Sequence, residues 1–344
     1  MTNGRSVTLA DFTTLRLGGP AGCFLELDDT QALTDAVTGM GRDGLLILGA
    51  GSNVVIADAG VDVPVVKVAT RGIDVAVRGP SVELAVAAGE SWDDLVERAV
   101  TEGWSGVEAL SGIPGLVGAT PMQNVGAYGQ EVSDTITDVE VFDRLTTRRH
   151  RLSPADCGFG YRTSVFKSRP DRYVVLTVHF RLERSSMSQP IRYAELARTL
   201  GSEPGSSIPL GAVRESVLEL RRSKGMVLDH ADRDTWSAGS FFTNPILHSE
   251  VRLPVAAPRW VQSDGRVKTS AAWLIEQAGF EKGFGAEVGA GRVTVSTKHT
   301  LALTNRGGAT TDELLGLART IRAGVQATFG IQLQPEPTLI GTHL

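Results

Sequence analysis

The sequence predicts an α+β fold of about two domains, and three observations support this class. Alternating apolar runs typical of β-strands crowd the first half of the chain, and amphipathic helices with clear start and stop residues occur in both halves. The 344 residues include 42% hydrophobic and 21% charged side chains, as in ordinary globular proteins. Glycine is enriched at 39 residues, and several of these glycines cluster in two segments of the first half.

The composition excludes several classes of function. Lys and Arg number 34 against 39 Asp and Glu, and the resulting charge of −5 removes the broad positive field that nucleic-acid or anionic-membrane binding needs. No secretory signal is recognisable, and no apolar run approaches the roughly 20 residues of a membrane span. Cys23 and Cys157 lie outside any CxxC pattern and the histidines are scattered, so we expect free thiols and no metal site. These features predict a cytoplasmic protein.

The first predicted element of the chain is a helix over residues 29–40. Predicted strands then precede and follow a glycine turn at 49–53. The strands predicted here are 45–48, 54–57, 63–69, 73–77 and 82–88. Ser91 then opens a helix, with Asp94 as the capping-box acid and Gly103 as the stop. Little periodicity follows until strands resume. Further strands are predicted at 136–142 and 173–181, with helices at 193–200 and 209–224.

After Gly225 the rhythm changes, which predicts a second α+β unit over about residues 226–328. The elements predicted there are a helix at 270–278, strands at 292–296 and 300–304, and a helix at 311–329. Thr310 with Glu313 forms a capping-box pattern before the last helix, and Gly330 ends it. The remaining residues to 344 are predicted to be extended.

Two glycine-rich segments are candidates for binding a nucleotide. LGAGSN resembles a dinucleotide turn, but Val54 occupies the third glycine position of GxGxxG, so a tight turn between strands remains an alternative. SGIPGLVGATPMQNVGAYG can bring main-chain amides against a diphosphate, and its Gln and Asn side chains can contact flavin-ring edges. Two such segments favour a large nucleotide cofactor over an irregular linker. The candidate cofactor residues are Gly49, Ala50, Gly51, Ser52, Asn53, Ser111, Gly112, Ile113, Pro114, Gly118, Ala119, Gln123, Asn124, Gly126 and Ala127.

Three shorter motifs carry polar side chains in distinctive surroundings. GYRTSVFK contains Arg162, SAGSFFTNP contains Ser240, and PEP contains Glu336 between two prolines. Each motif has an ordinary interpretation: a surface arginine, a helix-capping serine before core phenylalanines, and an exposed acid on a terminal strand. Taken singly, each ordinary interpretation is favoured.

In series, these motifs resemble those of the UDP-N-acetylenolpyruvoylglucosamine reductases, flavoenzymes that make UDP-N-acetylmuramate for peptidoglycan. The resemblance spans nearly the whole chain and includes RSKGMVLD, SAAWLIEQAGF and LQPEPTLIG. The glycine loops are shared with a wider FAD-binding superfamily, whereas GYR, GSFF and PEP in this order are specific to the reductase.

The resemblance implies an FAD-binding domain of two α+β subdomains, of the PCMH or vanillyl-alcohol-oxidase type, over residues 1–225 with a boundary near 78. A smaller α+β substrate-binding domain would follow at 226–328, and residues 329–344 would return to the FAD domain. NADPH would reduce FAD and leave, and the enolpyruvyl sugar nucleotide would replace it. The protein is expected to be a monomer.

The resemblance also implies site residues. Arg162 would clamp the substrate carboxylate, a protonated Glu336 would donate a hydrogen bond to it, and Ser240 would deliver a proton. The implied substrate-binding residues are Tyr161, Tyr193, Lys224, Asn244, Gln262 and Lys268. Tyr193 matches the tyrosine loop of the family's first type, although a helix-packing tyrosine is the alternative. Thr243 stands where the family often has a lysine that contacts phosphate.

Two other functions remain open at this point. An FAD-dependent oxidase or dehydrogenase acting on an alcohol or sugar would share the first half of the chain, and a non-catalytic protein could bind flavin without turnover. The first glycine loop contains no His or Cys that could anchor flavin covalently, which favours the reductase.

Overall fold

The computed structural model describes residues 5–41, 44–248, 253–287 and 290–344. The chain divides into two compact units that alternate along the sequence. Unit 1 comprises the described residues of Met1–Ser6, Gly22–Ala50 and Val63–Ser223, and unit 2 comprises those of Val7–Ala21, Gly51–Asp62 and Lys224–Leu344.

Strands and helices are both abundant, which confirms the α+β class. The strands are β1 Arg5–Thr8, β2 Pro20–Leu27, β3 Leu46–Leu48, β4 Val54–Ile56, β5 Val65–Val68, β6 Ile73–Arg78, β7 Ser81–Ala87, β8 Trp104–Ser105, β9 Gly126–Ala127, β10 Gln130–Glu131, β11 Ile136–Asp143, β12 Arg148–Leu152, β13 Tyr173–Arg184, β14 Ile246–Leu247, β15 Arg259–Val261, β16 Val267–Thr269, β17 Val293–Val295, β18 Leu303–Asn305 and β19 Thr338–Ile340. The α-helices are α1 Thr30–Met40, α2 Trp92–Thr101, α3 Pro154–Cys157, α4 Val165–Ser168, α5 Ala194–Thr199, α6 Leu210–Ser223, α7 Ala271–Gln277 and α8 Thr311–Phe329.

Unit 1 is built on two sheets. In the first, β5 pairs in parallel with both β2 and β3. In the second, the antiparallel order is β12-β11-β13-β7-β6, with β8 beside β13. The alternating sequence of β7 buries Val82, Leu84 and Val86, and the rings of Trp92 and Phe180 pack 6.0 Å apart in the same core. Burial of these apolar faces is the main stabilising contribution to the unit.

Unit 2 is organised around α8, which packs against α7, β17 and β18. Leu314, Ile321 and Val325 lie on one face of α8 and are fully buried. A separate sheet has the order β14-β16-β15. The C-terminal strand β19 pairs in parallel with β4, so the end of the chain lies beside the residues that follow the first glycine turn.

The predicted helix ends are largely confirmed. The Thr310 hydroxyl accepts from the Glu313 N–H while the Glu313 carboxylate accepts from the Thr310 N–H, which completes the capping box of α8. At α2 the Ser91 hydroxyl accepts from the Asp94 N–H. In the contacts described for this helix start, the Asp94 carboxylate does not accept from the Ser91 N–H. Ser91 is therefore a simple cap, which corrects the prediction of a capping box.

Among the strands that the sequence did not predict are β2, β12 and the β14-β16-β15 sheet. Their sequences lack a clean alternation, because both faces are partly covered or both are exposed. The stretch from 106 to 132 contains three short 3₁₀-helices (Glu108–Leu110, Val117–Gln123 and the start of Val132–Asp134) as well as the β9-β10 hairpin. Elements this short carry no 3.6-residue period that a sequence pattern could reveal.

Candidate active site

Arg162 lies in unit 1 on a tight turn in which Gly160 and Thr163 pair. Its backbone has a left-handed φ of 53°, which is uncommon for a residue with a long side chain. The guanidinium donates from Nη2 to the Gly126 carbonyl at 3.0 Å, and its central carbon lies 5.9 Å from the Tyr161 ring centre. Backbone strain combined with a held side chain is typical of a functional position.

Side chains join this turn to the second glycine-rich segment. The Ser164 hydroxyl donates to the Met122 carbonyl at 2.6 Å, and Asn124 donates from Nδ2 to the Gly160 carbonyl at 3.4 Å. Ser164 also caps α4. The structure thus brings the GYRTS motif and the NVGAYG motif together within unit 1, which neither motif indicated alone.

A cleft of about 350 Å³ opens where these segments meet. Its lining residues are Gly126, Ala127, Tyr128, Gly129, Gln130, Glu131, Asp134, Tyr161, Arg162 and Arg192. Two arginines and two carboxylates therefore face the same space, which suits a polar ligand with a negative group placed near the arginines. Tyr128 and Arg192 were not among the residues predicted from sequence, and Arg192 could have been suspected only from its position next to Tyr193.

Tyr128 in the cleft lining has a shifted pKa, as do Arg221 and Tyr193. Burial raises the pKa of Tyr128 to about 12, although the nearby charge of Arg221 opposes the change. Burial lowers the pKa of Arg221 to about 10, opposed by Tyr128 and Asp93. Burial also raises the pKa of Tyr193. Both phenols therefore keep their protons at neutral pH, and Arg221 keeps its positive charge.

Unit 1 also contains unoccupied backbone donors suited to a diphosphate. In the described part of the chain, the N–H groups of Gly49, Ala50, Ile113, Gly115 and Leu116 donate to no protein acceptor. The two segments lie side by side, because a Cβ on Gly49 would be 3.7 Å from Leu116 Cδ1. Several amides on neighbouring turns can donate together to phosphate oxygens. This donor set fits a dinucleotide such as FAD.

The rest of the first glycine turn belongs to unit 2. A Cβ on Gly51 would lie 2.0 Å from the Phe12 carbonyl oxygen, so only glycine fits at this left-handed position. The Gly51 carbonyl accepts from the Thr14 N–H, and the Asn53 carbonyl accepts from the Thr338 N–H. Ser52 is half-buried.

The two amide side chains predicted to contact flavin are engaged with the protein. Asn124 is buried, donates from Nδ2 to Glu131 Oε2 at 2.6 Å and accepts at Oδ1 from the Ser133 N–H. Gln123 accepts at Oε1 from Lys167 Nζ at 3.4 Å. Contact with a flavin ring remains a prediction for both residues.

In unit 2 the structure places the Ser240 segment beside the Glu336 segment. Phe242 pairs with Pro335 in an antiparallel bridge, and the Glu336 N–H donates to the Phe241 carbonyl at 2.9 Å. The rings of Phe241 and Phe242 are buried and pack 5.1 Å apart, which anchors the segment while Ser240 stays half-buried. Two of the three predicted catalytic residues therefore occupy adjoining extended segments, 96 residues apart in sequence.

Of the remaining predicted substrate residues of unit 2, Lys268, Gln262 and Asn244 are on or next to the β14-β16-β15 sheet, whereas Lys224 follows α6. Lys268 on β16 is opposite Trp260 on β15, with its Nζ 5.9 Å from the ring centre. Gln262 follows β15 and donates from Nε2 to the Trp260 carbonyl. Asn244 accepts at Oδ1 from the Ala271 N–H at the start of α7. Lys224 is the first residue after α6.

Among the described residues, no group of three or more His, Cys, Asp and Glu side chains is arranged to hold a metal ion. Within the same residues, no helix is both long and apolar enough to cross a membrane.

Comparison with known proteins covers nearly the whole chain. Residues 21–151 match the family model of an FAD binding domain, and residues 230–340 match that of the UDP-N-acetylenolpyruvoylglucosamine reductase C-terminal domain. A protein named UDP-N-acetylenolpyruvoylglucosamine reductase from Thermobifida fusca is 57% identical, covering 99% of this chain and 98% of its own length. A protein of the same name from Salinispora arenicola is 53% identical, with 98% and 95% covered. The crystal structure of UDP-N-acetylenolpyruvylglucosamine reductase from Thermus caldophilus is 26% identical, has a TM-score of 0.68 and covers 98% of both chains.

Proposed function

The chain belongs to the UDP-N-acetylenolpyruvoylglucosamine reductase family, and from that membership we propose how its own residues carry out the reaction. It is an FAD-dependent oxidoreductase that reduces UDP-N-acetylglucosamine enolpyruvate to UDP-N-acetylmuramate in peptidoglycan synthesis. Bound FAD supplies a hydride that it receives from NADPH. The roles of individual residues, the domain boundaries and the assembly state are the proposal.

We propose that Arg162 holds the carboxylate of the enolpyruvyl group. Addition of hydride to the terminal carbon leaves negative charge on the neighbouring carbon and the carboxylate, and oriented donors stabilise such charge best when they need not reorganise. A guanidinium forms two parallel hydrogen bonds with a carboxylate. The bond from Arg162 to the Gly126 carbonyl and the constrained turn at Gly160 support this role, because they limit the positions of the side chain.

Ser240 delivers the proton that completes the reduction. A protonated Glu336 donates a hydrogen bond to the substrate carboxylate, where negative charge collects after hydride addition. A serine hydroxyl is a weak acid, so it can act only on a strongly basic carbon within hydrogen-bond reach. The observation that carries this proposal is the backbone pairing of the Ser240 and Glu336 segments, which brings these two residues from distant parts of the sequence onto adjoining stretches of chain.

The FAD diphosphate is held by the amides of the two glycine-rich segments, with Gly49, Ala50, Ile113, Gly115 and Leu116 as the donors of unit 1. The remaining candidate cofactor residues shape the same loops. Lys224 and Lys268 neutralise the substrate diphosphate, and the other contacts come from Tyr161, Tyr193, Asn244 and Gln262.

We also propose that the chain works as a cytoplasmic monomer. Its FAD-binding domain would comprise residues 1–225, its substrate-binding domain residues 226–328, and residues 329–344 would return to the FAD-binding domain. Strand β19 pairs with β4, which lies within residues 1–225 and directly follows the first glycine turn, and both strands belong to unit 2.

The visible spectrum of the purified protein tests the function. Under anaerobic conditions the yellow protein should lose its flavin absorbance when NADPH is added, and the absorbance should recover when the enolpyruvyl sugar nucleotide follows. An oxidase or sugar dehydrogenase would recover only with oxygen or another acceptor. A protein that takes up no flavin, or whose reduced form ignores the enolpyruvyl substrate, would refute the function.

A further inference from the structure

The β9-β10 hairpin has an unusual residue at its tip. Ala127 pairs with Gln130, so Tyr128 and Gly129 form a two-residue turn, and their φ angles are 48° and 86°. Positive φ at both positions defines a type I′ turn, for which Asn-Gly and Asp-Gly are the favoured sequences. Gly129 follows this preference, but Tyr128 does not, because a bulky side chain is strained in the left-handed region. The chain thus keeps a tyrosine where asparagine would be more stable.

The strained conformation places the Tyr128 ring against Tyr193. The two ring centres are 5.6 Å apart and the ring planes are inclined by 86°, an edge-to-face arrangement. The backbones are equally close, since a Cβ on Gly129 would lie 3.2 Å from the Arg192 Cβ and 3.6 Å from the Tyr193 nitrogen. Both Tyr128 and Arg192 line the cleft, and Tyr193 remains 45% exposed.

A buried carboxylate joins the second strand of the hairpin to the same segment. Glu108 is fully buried and accepts from Gln130 Nε2 at 3.0 Å and from the Gln189 N–H at 2.8 Å. Gln130 in turn accepts at Oε1 from the Ala109 N–H. The hairpin and the chain leading to Tyr193 are therefore joined at two points, by Glu108 through Gln130 and Gln189 and by the contact of the two rings.

We propose that Tyr128 is a positioning residue for substrate binding: its strained turn holds the ring against Tyr193 and so keeps the Arg192–Tyr193 segment at the rim of the cleft. The ligand held there is the sugar-nucleotide substrate, so this inference rests on the proposed function and on the proposed role of Tyr193. Tyr128 also packs against a buried cluster that includes Ile191 and Leu196, so its test must separate positioning from packing.

Replacement of Tyr128 by Asn separates positioning from folding. Asn relieves the backbone strain, which offsets the packing lost with the ring, so the melting temperature of the Tyr128→Asn holoenzyme should stay close to that of the wild type. Loss of the ring contact should raise the KM for the enolpyruvyl substrate roughly threefold to tenfold with little change in kcat. The Kd for binding of the enolpyruvyl substrate to the oxidised holoenzyme, measured by calorimetry without NADPH, should rise by the same factor. Tyr128→Phe keeps the ring edge and should stay within about twofold of the wild type.

The double variant shows whether Tyr128 acts through Tyr193. If it does, Tyr128→Asn combined with Tyr193→Ala should bind substrate no more weakly than Tyr193→Ala alone. Additive losses, a lower melting temperature for Tyr128→Asn, or an unchanged Kd in that variant would each overturn the inference. Failure of the proposed function has a different signature: the wild type would not bind the substrate, or Tyr193→Ala would leave its Kd unchanged.

Discussion

Backbone strain in this protein is concentrated at the candidate site. Five non-glycine residues of the described chain have positive φ, and three of them are Asn124, Tyr128 and Arg162. Asn124 joins the two loops, Tyr128 forms the hairpin tip and Arg162 presents its guanidinium at the cleft. Residues are kept in such conformations when the surrounding contacts determine them strongly, and functional sites are where this is common. The strain therefore supports a functional rather than a purely structural role for these loops.

Removal of the Ser240 hydroxyl should affect turnover and leave binding intact. For Ser240→Ala we expect kcat to fall by about 10²–10⁴-fold, the usual contribution of a positioned acid, with the flavin spectrum and substrate Kd nearly unchanged. Stopped-flow reoxidation of the reduced protein by substrate measures this step. Ser263→Ala, at an exposed position of the same unit, is the control and should behave as wild type. A parallel loss of binding and rate in Ser240→Ala would mean that the serine is structural.

At the scale of elements, Asp93 connects three parts of unit 1. It lies in the first turn of α2, accepts two hydrogen bonds from Arg214 on α6 at 2.7 and 3.0 Å, and accepts the Gly112 N–H at 2.6 Å. Burial alone would raise the pKa of Asp93, but the bonds from Arg214 and Gly112 outweigh it and hold the pKa below its usual 3.8. The second glycine-rich segment is thereby fixed at its start.

Asp93→Asn should lower the free energy of unfolding, because the charge-assisted hydrogen bonds from Arg214 and Gly112 are lost. The loss should be only about 1–2 kcal/mol, since the site is partly solvated. The folded-state pKa is depressed, so this stabilisation is present above pH 3.8 and is lost as the pH falls through the lower folded-state value. Urea titrations of both proteins at a series of pH values measure the difference. Asp94→Asn, also in the first turn but exposed, is the matched control for the helix dipole. A difference that grows on acidification would contradict this account.

How far an element could be predicted depends on whether its signals are local. Helix α8 was predicted with its capping box and its glycine stop, because all of these lie within 21 residues of each other (Thr310 to Gly330). The β9-β10 hairpin was missed, since its strands have two residues each and Tyr128 hides the turn signal that Asn would have shown. The sheet at β14-β16-β15 was missed because its strands have only two or three residues each, too few to show an alternating pattern.

At the scale of the whole molecule, the chain passes between its two units five times. One of these crossings falls inside the first glycine turn, between Ala50 and Gly51. A dinucleotide bound by this turn would stabilise the folded protein by mass action, because the unfolded chain has no binding site for it.

Removal of FAD should therefore lower the melting temperature, and added FAD should restore it in a concentration-dependent manner. At 100 times its Kd, FAD contributes about 2.7 kcal/mol. Differential scanning calorimetry of apoprotein with increasing FAD measures the effect. Riboflavin lacks the diphosphate and should give a much smaller shift if the backbone amides hold that group. Equal shifts of the melting temperature with riboflavin and FAD would contradict the proposal that the backbone amides hold the diphosphate.

The amino-acid sequence alone determined the α+β class, most helix ends and the identity of the motifs, because these depend on neighbours within a few turns of the chain. Only the tertiary structure decided which motifs meet: Arg162 with Gly126, the Ser240 segment with that of Glu336, and Tyr128 with Tyr193. Such partners are 36 to 96 residues apart, and their contact depends on the path of the chain through the sheets and turns between them. No local pattern of side chains encodes that path, so the site could be named from the sequence but not assembled from it.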